Sequence, residues 1–542
     1  MMDFKRLRLN LLLGSLLGVS LVACNNDSSN HPNDTLRVDV GAEAPSLDPT
    51  KSEDVNSSRI MYDLFAGLVD FNQKNEIIPG LAQSWEISPD GKTYTFHLRD
   101  NLKFSDGSQL SAKDVVYSWR RLVDPKIASS YNFLLSGVEN GQDIIDGKQA
   151  IDKLGVYAAD EQTVVVKLIM PDSAFLDKVA MPNLFVISQA AIEKYAAQWT
   201  DPGKMVTSGA YVLKEHVVNG YILADKNPNY YAESSVSIAH IKYLPYVDLN
   251  ASVAAYKTGD LDMTFQMLPV DQYTQLKKTY QDQVHTVQQE AIGYYEFNMQ
   301  DPILGKNLKL RQALSMAVDR TALTNNVLQD GKSPLYSVVT PTISGGKYAD
   351  LAYKWSTWSA QQRITEAKKL YAQAGYGPNH PYKVTIMYNT NEMYKKISIA
   401  LAAMWKDTLG VQVEVQNQDW KTFLQTRHKG AYQIARGGWF ADYNNVTTYT
   451  LLYQCGNPQN DTHWCDMDYN KLLSKGDAEQ NPTLQQKDYF AALQRAQDAY
   501  VAIPLFQFSF NRMVKPYVQG YEIEQNYLDH VQSKWLKLDS SK

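Results

Sequence analysis

From Thr93 to Arg99, TYTFHLR, apolar and polar residues alternate with the period of a strand that buries one face. Turn residues Ser105, Asp106 and Gly107 follow. Ser111, with Asp114 three positions on, forms a variant capping box that opens a helix through Val115, Val116 and Trp119. Thr163 to Leu168, TVVVKL, predicts a further strand, so the first third of the chain reads as mixed α+β structure with antiparallel pairing.

The second half changes rhythm. Leu310, Ala313, Leu314, Ala317 and Val318 recur at helical spacing and give one apolar face. A helix from about Gln361 stops at Gly375. A strand from Lys383 to Asn389 follows, then a helix from Glu392 to Leu409 that Gly410 ends. VQVEVQ, from Val411, alternates again, and Tyr432 to Trp439 predicts one further strand. Strand, helix and strand in alternation predict an α/β domain with a mainly parallel sheet. The stretch RGGWFADYN, Arg436 to Asn444, then falls at the carboxyl end of a strand, where open α/β sheets collect ligands.

The amino terminus carries Lys5, Arg6 and Arg8, then an apolar run from about Leu11 to Ala23 that is too short to span a bilayer. Residues 1–23 are therefore expected to be a secretory signal. Leu21-Val22-Ala23-Cys24 resembles a lipobox, which implies a lipid-anchored Cys24 and a flexible tether over residues 24–34. Loss of the signal removes three bases and one acid and moves the net charge from −5 to −7, which argues against a nucleic-acid or anionic-membrane surface. Of the three cysteines, Cys24 is assigned to the lipid, and an oxidising compartment favours a disulfide between Cys455 and Cys465. The 35 tyrosines and ten tryptophans exceed what a core requires and suggest a binding surface.

No catalytic constellation emerges. The nine histidines stand singly, with no H-E-x-x-H, so no metal site is expected. Asp330-Gly331-Lys332-Ser333 lacks the upstream glycine of a P-loop, since Asn326 stands there. There is no G-x-S-x-G elbow, and no carboxylate pair singles itself out as a glycosidase dyad. The expectation is a binding protein without enzymatic activity or cofactor.

The block from Ala82 to Pro125, AQSWEISPDGKTYTFHLRDNLKFSDGSQLSAKDVVYSWRRLVDP, resembles a segment of family 5 of the extracytoplasmic solute-binding proteins, which deliver peptides to ABC transporters. SLDP from Ser46, TSGAY from Thr207, LRQALSMAVDR from Leu310 and NQDWKTFLQTRHKG from Asn417 match the same family in the expected order. The resemblance implies a periplasmic-binding-protein-like fold of two hinged lobes plus an inserted domain. Residues 35–55, 190–291 and 510–542 are expected to form a discontinuous first domain, 56–189 the inserted second and 292–509 the third. It also implies short peptides as ligands, or alternatively the murein tripeptide of the cell wall. A monomer in the periplasm or cell envelope would serve an inner-membrane permease with cytoplasmic ATPases.

Carried over residue by residue, the resemblance implies that the strand holding Gly438, Trp439 and Phe440 pairs with the ligand backbone and that Asp442 grips its α-ammonium group. The plainer reading of Asp442 is a cap on the turn into Tyr443-Asn444-Asn445. Glu43 is implied near the same amine pole, and Tyr131 in the cleft wall. Arg427 and Arg436 are implied at the ligand's carboxylate, where a planar fork can meet both oxygens, with His428 assisting. Trp420 and Trp439 would wall side-chain pockets. The sequence departs from a relative at Phe440, where that relative has a cysteine bridged to a residue near Ala291 or Ile292. It departs again at Tyr394, a position relatives use against the carboxyl end.

Overall fold

The computed structural model describes residues 34–172, 174–479, 481–522, 528–539 and 541. The expected signal segment and Cys24 lie outside the described residues.

Three sheets of four or more strands organise the described residues, beside two of two strands each. The first has the order Thr35–Asp39, His240–Leu244, Tyr221–Lys226 and Tyr211–Val217, with the first pair parallel and the others antiparallel. Leu36, Val38, Ile241 and Tyr243 alternate inward along it and pack on Ile60 and Met61 of the helix Val55–Leu64. Asp54 starts that helix by accepting from the amides of Asn56 and Ser57.

The second sheet, Ala82–Ile87, Thr93–Leu98, Thr163–Lys167 and Val156–Ala158, is antiparallel throughout, as the alternation predicts. Tyr94, Phe96 and Leu98 are buried on one face, in the same core as Val115, Trp119 and Leu122 of the helix Ala112–Val123. The Ser111 amide donates to the Asp114 carboxylate at 2.8 Å, closing the predicted box.

The third sheet corrects one expectation. Its order is Ser333–Pro334, Ala502–Met513, Val284–Phe297, Ile434–Phe440, Lys383–Asn389 and Gln412–Gln418. Only the last three strands are parallel; the others join antiparallel, so the sheet is mixed and not mainly parallel. The parallel trio follows the strand-helix-strand rhythm of the sequence. The two long strands Val284–Phe297 and Ala502–Met513 arrive from distant parts of the chain, outside that rhythm. Their ladder shifts register between Gln288 and Ile292. Such a bulge bends the strand locally.

Gly410, with φ of 77°, ends the helix Glu392–Leu409 as expected. Cys455 and Cys465 are joined by a disulfide with their Cα atoms 4.7 Å apart. Phe440 faces Ala291 across the ladder and packs on Phe508 and Phe510, so aromatic contact stands where the relative has a bridge. No helix among the described residues is long and apolar enough to cross a membrane.

Candidate functional site

The strand Ile434–Phe440 organises the site. On one side it pairs along its whole length with Val284–Phe297, from Phe440 opposite Ala291 to Ile434 opposite Phe297. On the other, Lys383–Asn389 meets it only at Ile434 and Ala435. From Arg436 to Phe440 that second edge has no strand partner among the described residues, and it leaves main-chain donors and acceptors unmatched. The glycines serve different ends. A Cβ on Gly437 would lie 2.1 Å from the Tyr294 ring, so only glycine lets that ring pack here. A Cβ on Gly438 would meet nothing closer than 3.5 Å. Glycine there keeps the main chain bare.

This edge opens on a cavity of about 690 Å³. Glu43, Tyr131, Trp420, Arg427, His428, Arg436, Gly438, Trp439, Phe440 and Asp442 all line it, so the fold gathers every site residue expected from the sequence around one space.

Asp442 follows the strand and is 9% exposed. Its amide donates to Thr448 Oγ1 at 3.1 Å, and the same hydroxyl accepts from Trp439 Nε1 at 3.0 Å, so one threonine fixes both the acid and the indole. Oδ2 of Asp442 is buried with no hydrogen-bond partner, and no basic group lies within ion-pair distance among the described residues. Burial pushes this carboxyl up to about 7, with the Thr448 hydroxyl offsetting part of the effect. Burial, and then the field of Asp442, raises the phenol of Tyr131 well above its ordinary range.

Arg436 is the complementary case. It is 6% exposed, its Nε is buried without a partner, and no carboxylate lies within ion-pair distance among the described residues. A buried acid and a buried base, each lacking a counterion, face one cavity.

The other charged residues expected at the site from the sequence, Glu43, Arg427 and His428, are paired. Arg427 Nε donates to Glu296 Oε1 at 2.7 Å, and its Nη2 lies 3.0 Å from Asp461 Oδ2. The guanidinium expected to meet a ligand carboxylate is thus already neutralised inside the wall. His428 Nδ1 lies 2.6 Å from Asp461 Oδ1 and Nε2 lies 3.2 Å from Glu53 Oε2. Burial opposes protonation, but these two carboxylates raise the imidazole to about 10, so at neutral pH it is a cation donating from both nitrogens. Glu53 also accepts from Ser130 Oγ at 2.9 Å. Glu43 accepts from His216 Nε2 at 2.7 Å and from the Asn219 amide at 2.8 Å; burial raises its carboxyl, and these partners bring it below the usual range.

Sequence reasoning missed Thr448, Glu53, Glu296 and Asp461, each brought to the site by folding alone. Trp420 Nε1 and Asn389 Oδ1, also on the cavity wall, are buried without partners. No cluster of three or more metal-ligating side chains occurs among the described residues.

Residues 76–461 match the family described as bacterial extracellular solute-binding proteins, family 5 Middle. The chain is 38% identical over 489 residues to the periplasmic oligopeptide-binding protein OppA of Salmonella typhimurium, covering 90% of this chain and 89% of that one. Haemophilus influenzae OppA in complex with RPPGFSPFR superposes with a TM-score of 0.91 at 36% identity, over 94% of this chain and all of that one (100%). The murein tripeptide binding protein MppA of Escherichia coli gives 0.90 at 35% identity, over 94% of this chain and 99% of that one. Its unliganded open form gives 0.65 at the same identity, over 94% and 98%, so the chain as described here differs in conformation from that open form. By sequence and by fold, this chain belongs to family 5 of the bacterial extracellular solute-binding proteins.

Proposed function

We propose that this protein captures short peptides outside the cytoplasm and delivers them to the permease of an ABC importer whose cytoplasmic ATPases supply the energy. The observation that carries the reading is a bare strand edge between two buried, opposite, unpaired charges, Asp442 and Arg436. Every unmodified linear peptide offers the matching set: a backbone able to extend a sheet, an ammonium group at one end and a carboxylate at the other. Main-chain hydrogen bonds contribute about 1 kcal/mol each and ignore side-chain identity, so they set register without choosing a sequence. Selectivity for free ends falls to Asp442 and Arg436. Trp420, Trp439, Phe440 and Tyr131 offer flat or apolar walls to varied side chains. Glu43, Arg427 and His428 hold the wall together through their own ion pairs.

The lobes would close as a hinge, with Val284–Phe297 and Ala502–Met513 as connectors and the register shift after Gln288 as the flexible point. In this reading Cys24 carries a lipid that holds a monomer near the membrane at high effective concentration. The protein performs no chemistry on its ligand. Calorimetry with tri-alanine tests the reading directly: micromolar or tighter binding supports it, and no heat at millimolar peptide would end it. Near-equal likeness to MppA favours a second reading, capture of murein tripeptide. Binding of that ligand a hundredfold tighter than tri-alanine would select it.

A further inference from the structure

The way Arg436 is held distinguishes it from every other buried cation around the cavity. Arg427 and His428 are clasped by carboxylates, which cancel their charge. Arg436 is clasped by a neutral group: Nη2 donates to the hydroxyl of Tyr394, and the guanidinium lies over the Tyr394 ring, 3.8 Å from its centroid. The Trp420 ring stands 5.8 Å away. A phenol and an aromatic face orient a guanidinium without neutralising it. The full positive charge therefore stays in a buried site on the cavity wall, and Nε is left without a partner.

Tyr394 is itself firmly placed. It sits in the first turn of the helix Glu392–Leu409 and is 4% exposed. The Asn391 side chain caps its amide at 3.3 Å. One turn on, Ser398 Oγ lies 2.6 Å from the hydroxyl of Tyr295, the residue that faces Arg436 across the ladder. The helix Glu392–Leu409 is thus tied to both paired strands, to Ile434–Phe440 through Arg436 and to Val284–Phe297 through Tyr295.

We propose that Tyr394 is a positioning residue that aims Arg436 at the ligand's terminal carboxylate, and that selectivity for a free carboxyl end depends on it. The inference rests on the reading of Arg436 given above. With its hydroxyl committed to Arg436, Tyr394 acts through that residue and not as a carboxylate partner of its own.

The test is calorimetry of tri-alanine and tri-alanine amide against the full protein and its Tyr394→Phe, Tyr394→Ala, Arg436→Gln and Tyr394→Ala/Arg436→Gln variants. Tyr394→Ala is expected to weaken tri-alanine about tenfold and the amide less than twofold. Tyr394→Phe, which keeps the ring, should weaken tri-alanine about threefold and leaves the inference testable even if the alanine variant folds poorly. On the Arg436→Gln background the tyrosine change should add nothing. Equal weakening of both ligands would reduce Tyr394 to a wall residue and overturn the proposal, as would full affinity in both tyrosine variants. If Arg436→Gln keeps the normal preference for the free carboxylate, the fault lies instead in the functional reading of Arg436.

Discussion

Replacing Asp442 with asparagine should make the empty protein more stable at pH 8 while destroying its affinity for peptides. In the ligand-free fold, burial moves this carboxyl from 3.8 to about 7. Between those values the folded state keeps a proton that the unfolded chain has released, so the fold loses stability as pH rises through that window. At about 1.36 kcal/mol per pKa unit, the loss approaches 4 kcal/mol above pH 7. Asparagine has nothing to titrate, and below about pH 4 the two proteins should melt alike. As pH rises to 8, Asp442→Asn should come to melt higher by a few degrees. Binding runs the other way. The ammonium group needs the ionised acid, so wild-type affinity for tri-alanine should rise about tenfold per unit up to pH 7 and then level off. In Asp442→Asn the affinity should be flat across pH and lower by two or three powers of ten. That is somewhat less than the roughly 4 kcal/mol of an ion pair at 4 Å in an effective dielectric of 20, because desolvation offsets part. Scanning calorimetry and titration calorimetry from pH 4 to 8 read both effects. Parallel melting curves for the two proteins would refute the reasoning, because they would mean that the acid is hydrated in the empty cleft.

Three other changes probe the wall. Arg427→Met leaves Glu296 and Asp461 buried without their shared cation and should lower stability by about 3–5 kcal/mol in a denaturant titration. His428, raised to about 10 from an ordinary 6.5, contributes stability that is fully present below 6.5 and lost as pH rises through 10; His428→Gln should flatten the alkaline limb of the melting curve. The disulfide closes a loop with a sequence separation of 10, and that loop carries the cavity residues Gln459 and Asp461. Changing both cysteines to serine should cost about 2–3 kcal/mol and weaken tri-alanine detectably in parallel titrations.

The legible parts of the fold are those where one element buries one face. TYTFHL alternates because one side of its sheet is wet, and the helix Glu392–Leu409 ends at Gly410 because a left-handed residue must follow it. The strands Val284–Phe297 and Ala502–Met513 escaped notice for the opposite reason: Ala502–Met513 is buried at every position, and so is Val284–Phe297 from Gln289 onward, which erases the alternation that marks a strand. Their antiparallel entry made the sheet mixed. At the site, the strand that leads into Asp442 could be picked out from RGGWFADYN and from the family resemblance. The pairing of Arg427 could not: Glu296 is 131 residues away in sequence, and the helix Trp420–His428 that carries Arg427 comes beside it only because the next strand, Ile434–Phe440, pairs with Val284–Phe297. Nor could Thr448 be foreseen, since its role depends on a short helix turning back over the strand end.

The central claim is that a buried, partnerless acid awaits the free amino end of a peptide. Titrating the protein at pH 7.5 with tri-alanine and with N-acetyl-tri-alanine tests it most directly. The account predicts at least a hundredfold weaker binding of the acetylated peptide, and equal affinity for the two would contradict it.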